Sequence, residues 1–150
     1  MFKGAITAIV TPFKEDESLD LDALKRLVEF QIRNKIDGIV PCGTTGESPT
    51  LNYEEHEEVI ETVIDAVNGR VPVIAGTGSN CTREAIEMTK RAADAGADAS
   101  LQVCPYYNKP TQEGLFRHFS AIAKSVDIPI IIYNIKGRTG INMETPTLAR

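Results

Sequence analysis

The sequence has no tryptophan, two histidines, three cysteines and no long apolar run, and each shortage weakens the case for a class of function. The cysteines, Cys42, Cys81 and Cys104, are odd in number and lack Cys-x-x-Cys spacing, which argues for reduced thiols rather than a disulfide framework. His56 and His118 both fall in helix-type patterns with no cluster of metal-ligand spacing, so no metal ion is expected. Positive charge is not in surplus. A net charge of −5 and a pI near 5.1 give no electrostatic reason to bind nucleic acid or an anionic membrane. Met1 to Val10 lacks the charged and apolar regions of a secretory signal, and Pro12 follows, so a cytoplasmic location is expected. No Gly-x-Gly-x-x-Gly follows the first apolar run, which counts against a dinucleotide-binding fold.

What is present is a globular composition: 150 residues, 42% hydrophobic and 25% charged, enough for one single-domain core. Strand-length apolar runs recur at Ala5 to Val10, Asp37 to Cys42, Val71 to Ala75, Ala99 to Cys104 and Ile128 to Tyr133. Amphipathic helix patterns lie between them, an alternation that predicts a parallel sheet built of β/α units. Asp20 is the expected cap of a first helix burying Leu24, Leu27, Val28 and Ile32. Asn52 and Glu55 form a capping-box pattern before Val59, Ile60, Val63, Ile64 and Val67, with Gly69 as the stop. Thr82 is the expected cap of a third helix packing through Ile86, Thr89 and Ala93 to Gly96. Thr111 caps a fourth, with Leu115, Phe119, Ile122 and Val126 inward. Thr145 and Pro146 begin another.

The polar loops gather on one side, each after the carboxyl end of a strand: Thr11-Pro12, Gly43 to Ser48, Gly76 to Asn80, Pro105 to Pro110 and Asn134 to Asn142. In a β/α barrel those loops carry the chemistry, although an open doubly wound sheet also places its ligand at strand ends. In Pro41-Cys42-Gly43-Thr44-Thr45-Gly46-Glu47-Ser48, two glycines allow close backbone approach and two threonines offer hydroxyl and N–H groups. Such a loop suits a carboxylate or phosphate, or serves as a tight turn without a ligand.

These motifs, together with Met1-Phe2-Lys3-Gly4, Thr11-Pro12-Phe13, Pro105-Tyr106-Tyr107-Asn108-Lys109-Pro110 and Tyr133-Asn134 followed by Gly137-Arg138-Thr139-Gly140, resemble the dihydrodipicolinate synthase family over the whole chain and in the same order. The resemblance implies a (β/α)8 TIM barrel, of which residues 1–150 supply about the first five β/α units as the N-terminal part of one domain. It implies a lyase of lysine (diaminopimelate) biosynthesis that condenses pyruvate with L-aspartate 4-semialdehyde through a lysine Schiff base, without a cofactor, as a homotetramer built as a dimer of dimers. The Schiff-base lysine is expected on the next strand, beyond residue 150. Carried over by position, Thr44, Tyr107 and Tyr133 match a proton-relay triad, with Tyr107 reaching a neighbouring subunit. Thr45 and Arg138 match the groups that hold the two substrate carboxylates. Ser48, His56, Asn80, Glu84 and Tyr106 fall where some members bind L-lysine as a feedback inhibitor; taken alone, His56 reads as an exposed helix residue. A sugar-acid aldolase of the N-acetylneuraminate lyase or 2-keto-3-deoxygluconate aldolase type is the related alternative, and a non-catalytic, self-associating barrel fragment is the alternative of another class. Three positions depart from the family pattern: Pro41 and Gln102 in strands, and Lys136, which reads as an ordinary loop lysine with a displaced amine nucleophile as the alternative.

Overall fold

Alternating strands and helices make up the computed structural model, which describes residues 2–150; Met1 of the opening motif lies outside the described residues. The elements are β1 (Ile6–Ala8), α1 (Leu21–Arg33), β2 (Gly38–Val40), α2 (Tyr53–Val67), β3 (Ile74–Gly76), α3 (Thr82–Ala95), β4 (Ala99–Val103), α4 (Gln112–Ala123), β5 (Ile130–Tyr133) and the single turns α5 (Lys136–Thr139) and α6 (Thr145–Leu148). Every strand pair is parallel and spatial order follows chain order. β1 pairs with β2 (Ile6 opposite Gly38), β3 with β4 (Ile74 opposite Ala99) and β4 with β5 (Ser100 opposite Ile130). A bridge between Ile39 and Val73 joins the two groups. The strands are shorter than their apolar runs because the ends of those runs turn into loops.

Local chemistry sets the helix starts. The Asp20 carboxylate accepts from Ala23 N (2.8 Å), and Asn52 and Glu55 exchange both bonds of a capping box at 2.9 Å each. Thr111 accepts from Gly114 N, as its position predicts. The third helix departs from expectation: Cys81 is its cap, and the Thr82 hydroxyl instead meets His118 Nδ1 (2.9 Å), tying α3 to α4. Its buried face is Ala85, Thr89 and Ala92, with Ile86 half-buried, because the small residues let the helix lie close to the sheet. Asn68, in the left-handed conformation, ends α2 one residue before Gly69. Val126 lies beyond α4, and Glu144, not Thr145, caps α6.

Alternation along the strands separates two faces. Ile39, Val73 and Ala75 pack outward against Leu24 and Val28 of α1 and Val59, Val63 and Val67 of α2. Val40, Ile74 and Ala99 face the other way with Phe2, Leu101 and Ile131. Pro41 is fully buried just past the end of β2, where no ladder donor is required of it, and its carbonyl accepts from Gly76 N (3.0 Å). Gln102 is fully buried on the helix side; its Nε2 faces the hydroxyls of Thr77 (2.8 Å), Thr89 (2.8 Å) and Ser100 (2.7 Å), whereas its Oε1 has no partner among the described residues. All four β5 residues are half-buried, and Ile6 and Val10 at the other margin are 36% and 51% exposed.

Candidate active site

At the carboxyl ends of the strands a cleft of about 390 Å³ opens on the inner face of the sheet. Its floor is backbone and apolar side chain: Gly76 at the end of β3, Gly78 just beyond it, and Leu101 and Val103 of β4. Around it stand Thr44, Ser48, Tyr106, Tyr133 and Arg138. Five of the ten expected site residues therefore share one cavity although they come from three different loops.

The glycines make this approach possible. A Cβ on Gly76 would lie 2.2 Å from the Cys42 carbonyl oxygen, and one on Gly78 would lie 2.4 Å from Val103 N. Within the Gly43–Ser48 loop, Gly46 N donates to Gly43 O (3.1 Å) and Glu47 N to Thr44 O (3.2 Å). The Thr11 hydroxyl fastens the loop from below by donating to Gly46 O (2.7 Å). Those bonds use the Gly46 and Glu47 N–H groups within the turn and leave Thr44 and Thr45, both exposed, at the rim, so what the loop can offer an anion is their hydroxyls. Cys42 is buried below, and burial pushes its thiol up to about 12, so it is not a nucleophile.

On the opposite wall Tyr133 ends β5 and Arg138 projects from α5, with Ile135 and Thr139 also facing the cleft. Glu47, Ile135, Thr139 and Thr11 were not singled out by residue type. Their signal lay in loop position, since each is within the stretches at strand ends. Lys136 is exposed and does not line the cleft, which matches an ordinary loop lysine. Thr45 also stands outside the lining. Tyr107 is 89% exposed, holds a left-handed φ of 71°, a strained conformation for an aromatic residue, and does not line the cleft.

Asn80, Glu84 and Tyr106 form a second cluster on the flank. Asn80 Nδ2 donates to Tyr106 O (3.2 Å), and the Glu84 carboxylate accepts from the Ser79 hydroxyl (2.8 Å). Burial, reinforced by Glu84, raises the Tyr106 hydroxyl; partial burial together with a hydrogen bond to Glu84 pushes Tyr53 up to about 12. Ser48 joins this cluster only through the cleft it shares with Tyr106. His56 corrects the expectation of an exposed helix residue: it is 5% exposed, because its α2 position turns toward β3, and burial lowers its pKa. It lines a separate groove of about 330 Å³ between α2 and α3, with Tyr53 and Glu84, and its Nε2 is unpartnered among the described residues. Among the described residues no three His, Cys, Asp or Glu side chains gather as a metal-binding group, and no helix is long and apolar enough to cross a membrane.

The model of the dihydrodipicolinate synthetase family matches residues 1–150. The 4-hydroxy-tetrahydrodipicolinate synthase of Syntrophus aciditrophicus (strain SB) is 66% identical over 150 residues, covering all of this chain and 51% of that protein. The chloride-inhibited dihydrodipicolinate synthase of Acinetobacter baumannii, solved with pyruvate, superposes with a TM-score of 0.96 at 54% identity over 98% of this chain and 50% of its own. The enzyme of Cyanidioschyzon merolae, solved with lysine bound, gives 0.95 at 50% identity over 97% and 50%. The chain thus spans about half the length of the relatives it matches, and its five strands have the fold of the first β/α units of their TIM barrel. With the family model matched end to end and a relative 66% identical over the whole chain, the chain belongs to the dihydrodipicolinate synthetase family.

Proposed function

We propose that this chain is the N-terminal half of a lyase that condenses pyruvate with L-aspartate 4-semialdehyde to 4-hydroxy-tetrahydrodipicolinate, in the cytoplasm and as a homotetramer. The observation that carries this reading is the convergence of Thr44, Tyr133 and Arg138 on one cleft at the strand ends. Pyruvate held as a lysine imine must lose a methyl proton to become an enamine, and the phenol of Tyr133 serves as the shuttle at that centre. Thr44 relays the proton toward solvent, with Tyr107 of a neighbouring subunit; the 89% exposure of Tyr107 supports an outward role. Thr45 takes the pyruvate carboxylate, and Arg138 takes the carboxylate of the semialdehyde as a two-pronged donor. The imine-forming lysine comes from the remaining strands. Asn80, Glu84 and Tyr106, with Ser48 and His56 nearby, form the site for L-lysine as feedback inhibitor.

Joining this chain to the part of the Syntrophus aciditrophicus relative that follows the match gives a chain on which the reading can be tested. Incubation with pyruvate, borohydride reduction and intact-mass measurement are expected to give one adduct per chain, mapped to the second half, and none on Lys136. A folded, soluble joined chain that acquires no adduct refutes the reading.

A further inference from the structure

The segment from Asn134 to Met143 leaves the end of β5, makes the turn α5 and returns to its starting point. Inside it, the buried Thr139 hydroxyl donates toward Ile135 O and Ile141 O, both at 3.0 Å, and Gly140 closes the turn with a left-handed φ of 71°. The two ends are joined by one side chain. Asn134 Nδ2 donates to Asn142 Oδ1 (3.0 Å) and Met143 O (3.3 Å), while Asn134 Oδ1 accepts from Met143 N (3.1 Å). The same Oδ1 accepts from the thiol of Cys104, 3.7 Å away and fully buried at the end of β4. An amide that gives and receives in this way does what a backbone peptide does in a ladder, and here it does so across a loop of about ten residues. Gln112 holds the returning strand from α4, with Nε2 on Asn142 O (2.8 Å), so the far end of the loop is anchored, and the Asn134 amide, with the Thr139 hydroxyl inside the loop, ties the near end to it.

We propose that Asn134 is a positioning residue: its side-chain amide closes the 134–143 loop on itself and thereby holds Arg138 at the mouth of the cleft. The role rests on the reading of Arg138 as a carboxylate-binding group, but the closure itself does not. Without the clamp, the returning end keeps its anchors in Gln112 and the buried Ile141 and Met143, but α5 is no longer tied across to it at Asn134, and the guanidinium samples positions away from the cleft.

The test uses the 150-residue chain without substrate, so failure of the imine experiment leaves its result interpretable. Cys104, Cys42 and Cys81 are followed by N-ethylmaleimide labelling and peptide mapping in wild type, Asn134→Ala and the isosteric Asn134→Asp, and the order of the Arg138 backbone N–H by 15N relaxation. Asn134→Ala is expected to speed Cys104 labelling about tenfold, the loss of roughly one hydrogen bond, while Cys42 stays as slow as in wild type. The Arg138 order parameter is expected to fall from about 0.85 toward about 0.6. Asn134→Asp keeps the acceptor for Met143 N but loses both donated bonds, so it is expected to lie between the two. Unchanged Cys104 labelling, an unchanged Arg138 order parameter, or Cys42 labelling that rises in step with Cys104 would each overturn the proposal, the last by showing general loosening.

Discussion

Replacing Gln102 by methionine is expected to change stability by no more than about 1 kcal/mol, although the residue is fully buried and its amide faces three hydroxyls. Thr89 donates to Ala85 O at 2.5 Å, which leaves its oxygen to accept from Thr77 (2.9 Å), and Thr77 in turn accepts from Ser100 (2.7 Å). Each hydroxyl proton therefore has an acceptor without the glutamine. Its two amide protons add bonds worth about 1 kcal/mol each, while its unpaired carbonyl carries a penalty of about 1–3 kcal/mol; methionine of similar volume forfeits the first and removes the second. Thr77→Val is the contrasting change. It removes the central oxygen, strands the Ser100 proton and breaks the relay, for a loss of about 3 kcal/mol, or roughly 9 °C in midpoint for a chain of this size. Urea and thermal unfolding of both variants measure the two effects. A loss clearly beyond about 1 kcal/mol for Gln102→Met, or an unchanged midpoint for Thr77→Val, refutes the proton accounting.

Gly76→Ala, whose Cβ would meet backbone of the Cys42–Gly43 turn, is expected to cost about 2–3 kcal/mol in chemical unfolding; Gly137→Ala, with no atom near its added carbon, costs nothing or adds a few tenths. Tyr107→Gly relieves a left-handed backbone at an exposed site, so its unfolding midpoint should hold or rise by about 1 kcal/mol, and a clear fall would show that the ring supports the isolated chain. His56 and His118 are buried with pKa values below the ordinary value of about 6.5. Because the unfolded chain binds their protons more readily, stability present above about pH 6.5 is lost as pH falls toward the depressed values. Stability curves between pH 7.5 and 5 should show this slope, and His56→Gln combined with His118→Gln should flatten it.

The alternation of elements was legible because each helix carries its own punctuation. Asp20, Asn52 and Thr111 bond as their positions predict, and Gly96 ends α3 in the left-handed conformation. The cap of α3 was not legible, since what moved it by one residue was His118, a partner 36 residues away in sequence. The same limit hid the burial of His56, whose charged neighbours Glu54, Glu55, Glu57 and Glu58 suggest solvent while β3 covers its ring. Gln102 shows the converse. Its need for partners was visible in the sequence, but the three hydroxyls that meet it come from the residue just past β3, from α3 and from its own strand, and only tertiary structure brings them to one point. Of the site, the loops at strand ends were readable from their glycines and hydroxyls; the division into a cleft and a flanking groove was not, because it depends on which side of α2 and α3 each residue faces.

Strand order that equals chain order also bears on synthesis. Each new β/α unit leaving the ribosome meets a docking edge made by the unit before it, so no strand waits for a partner not yet translated. Pairing of this kind keeps loop closure short at every step, and the chain can gather its sheet in the direction in which it is made. Of the five strands β5 is the last to form, and its residues Ile130 to Tyr133 stay half-buried.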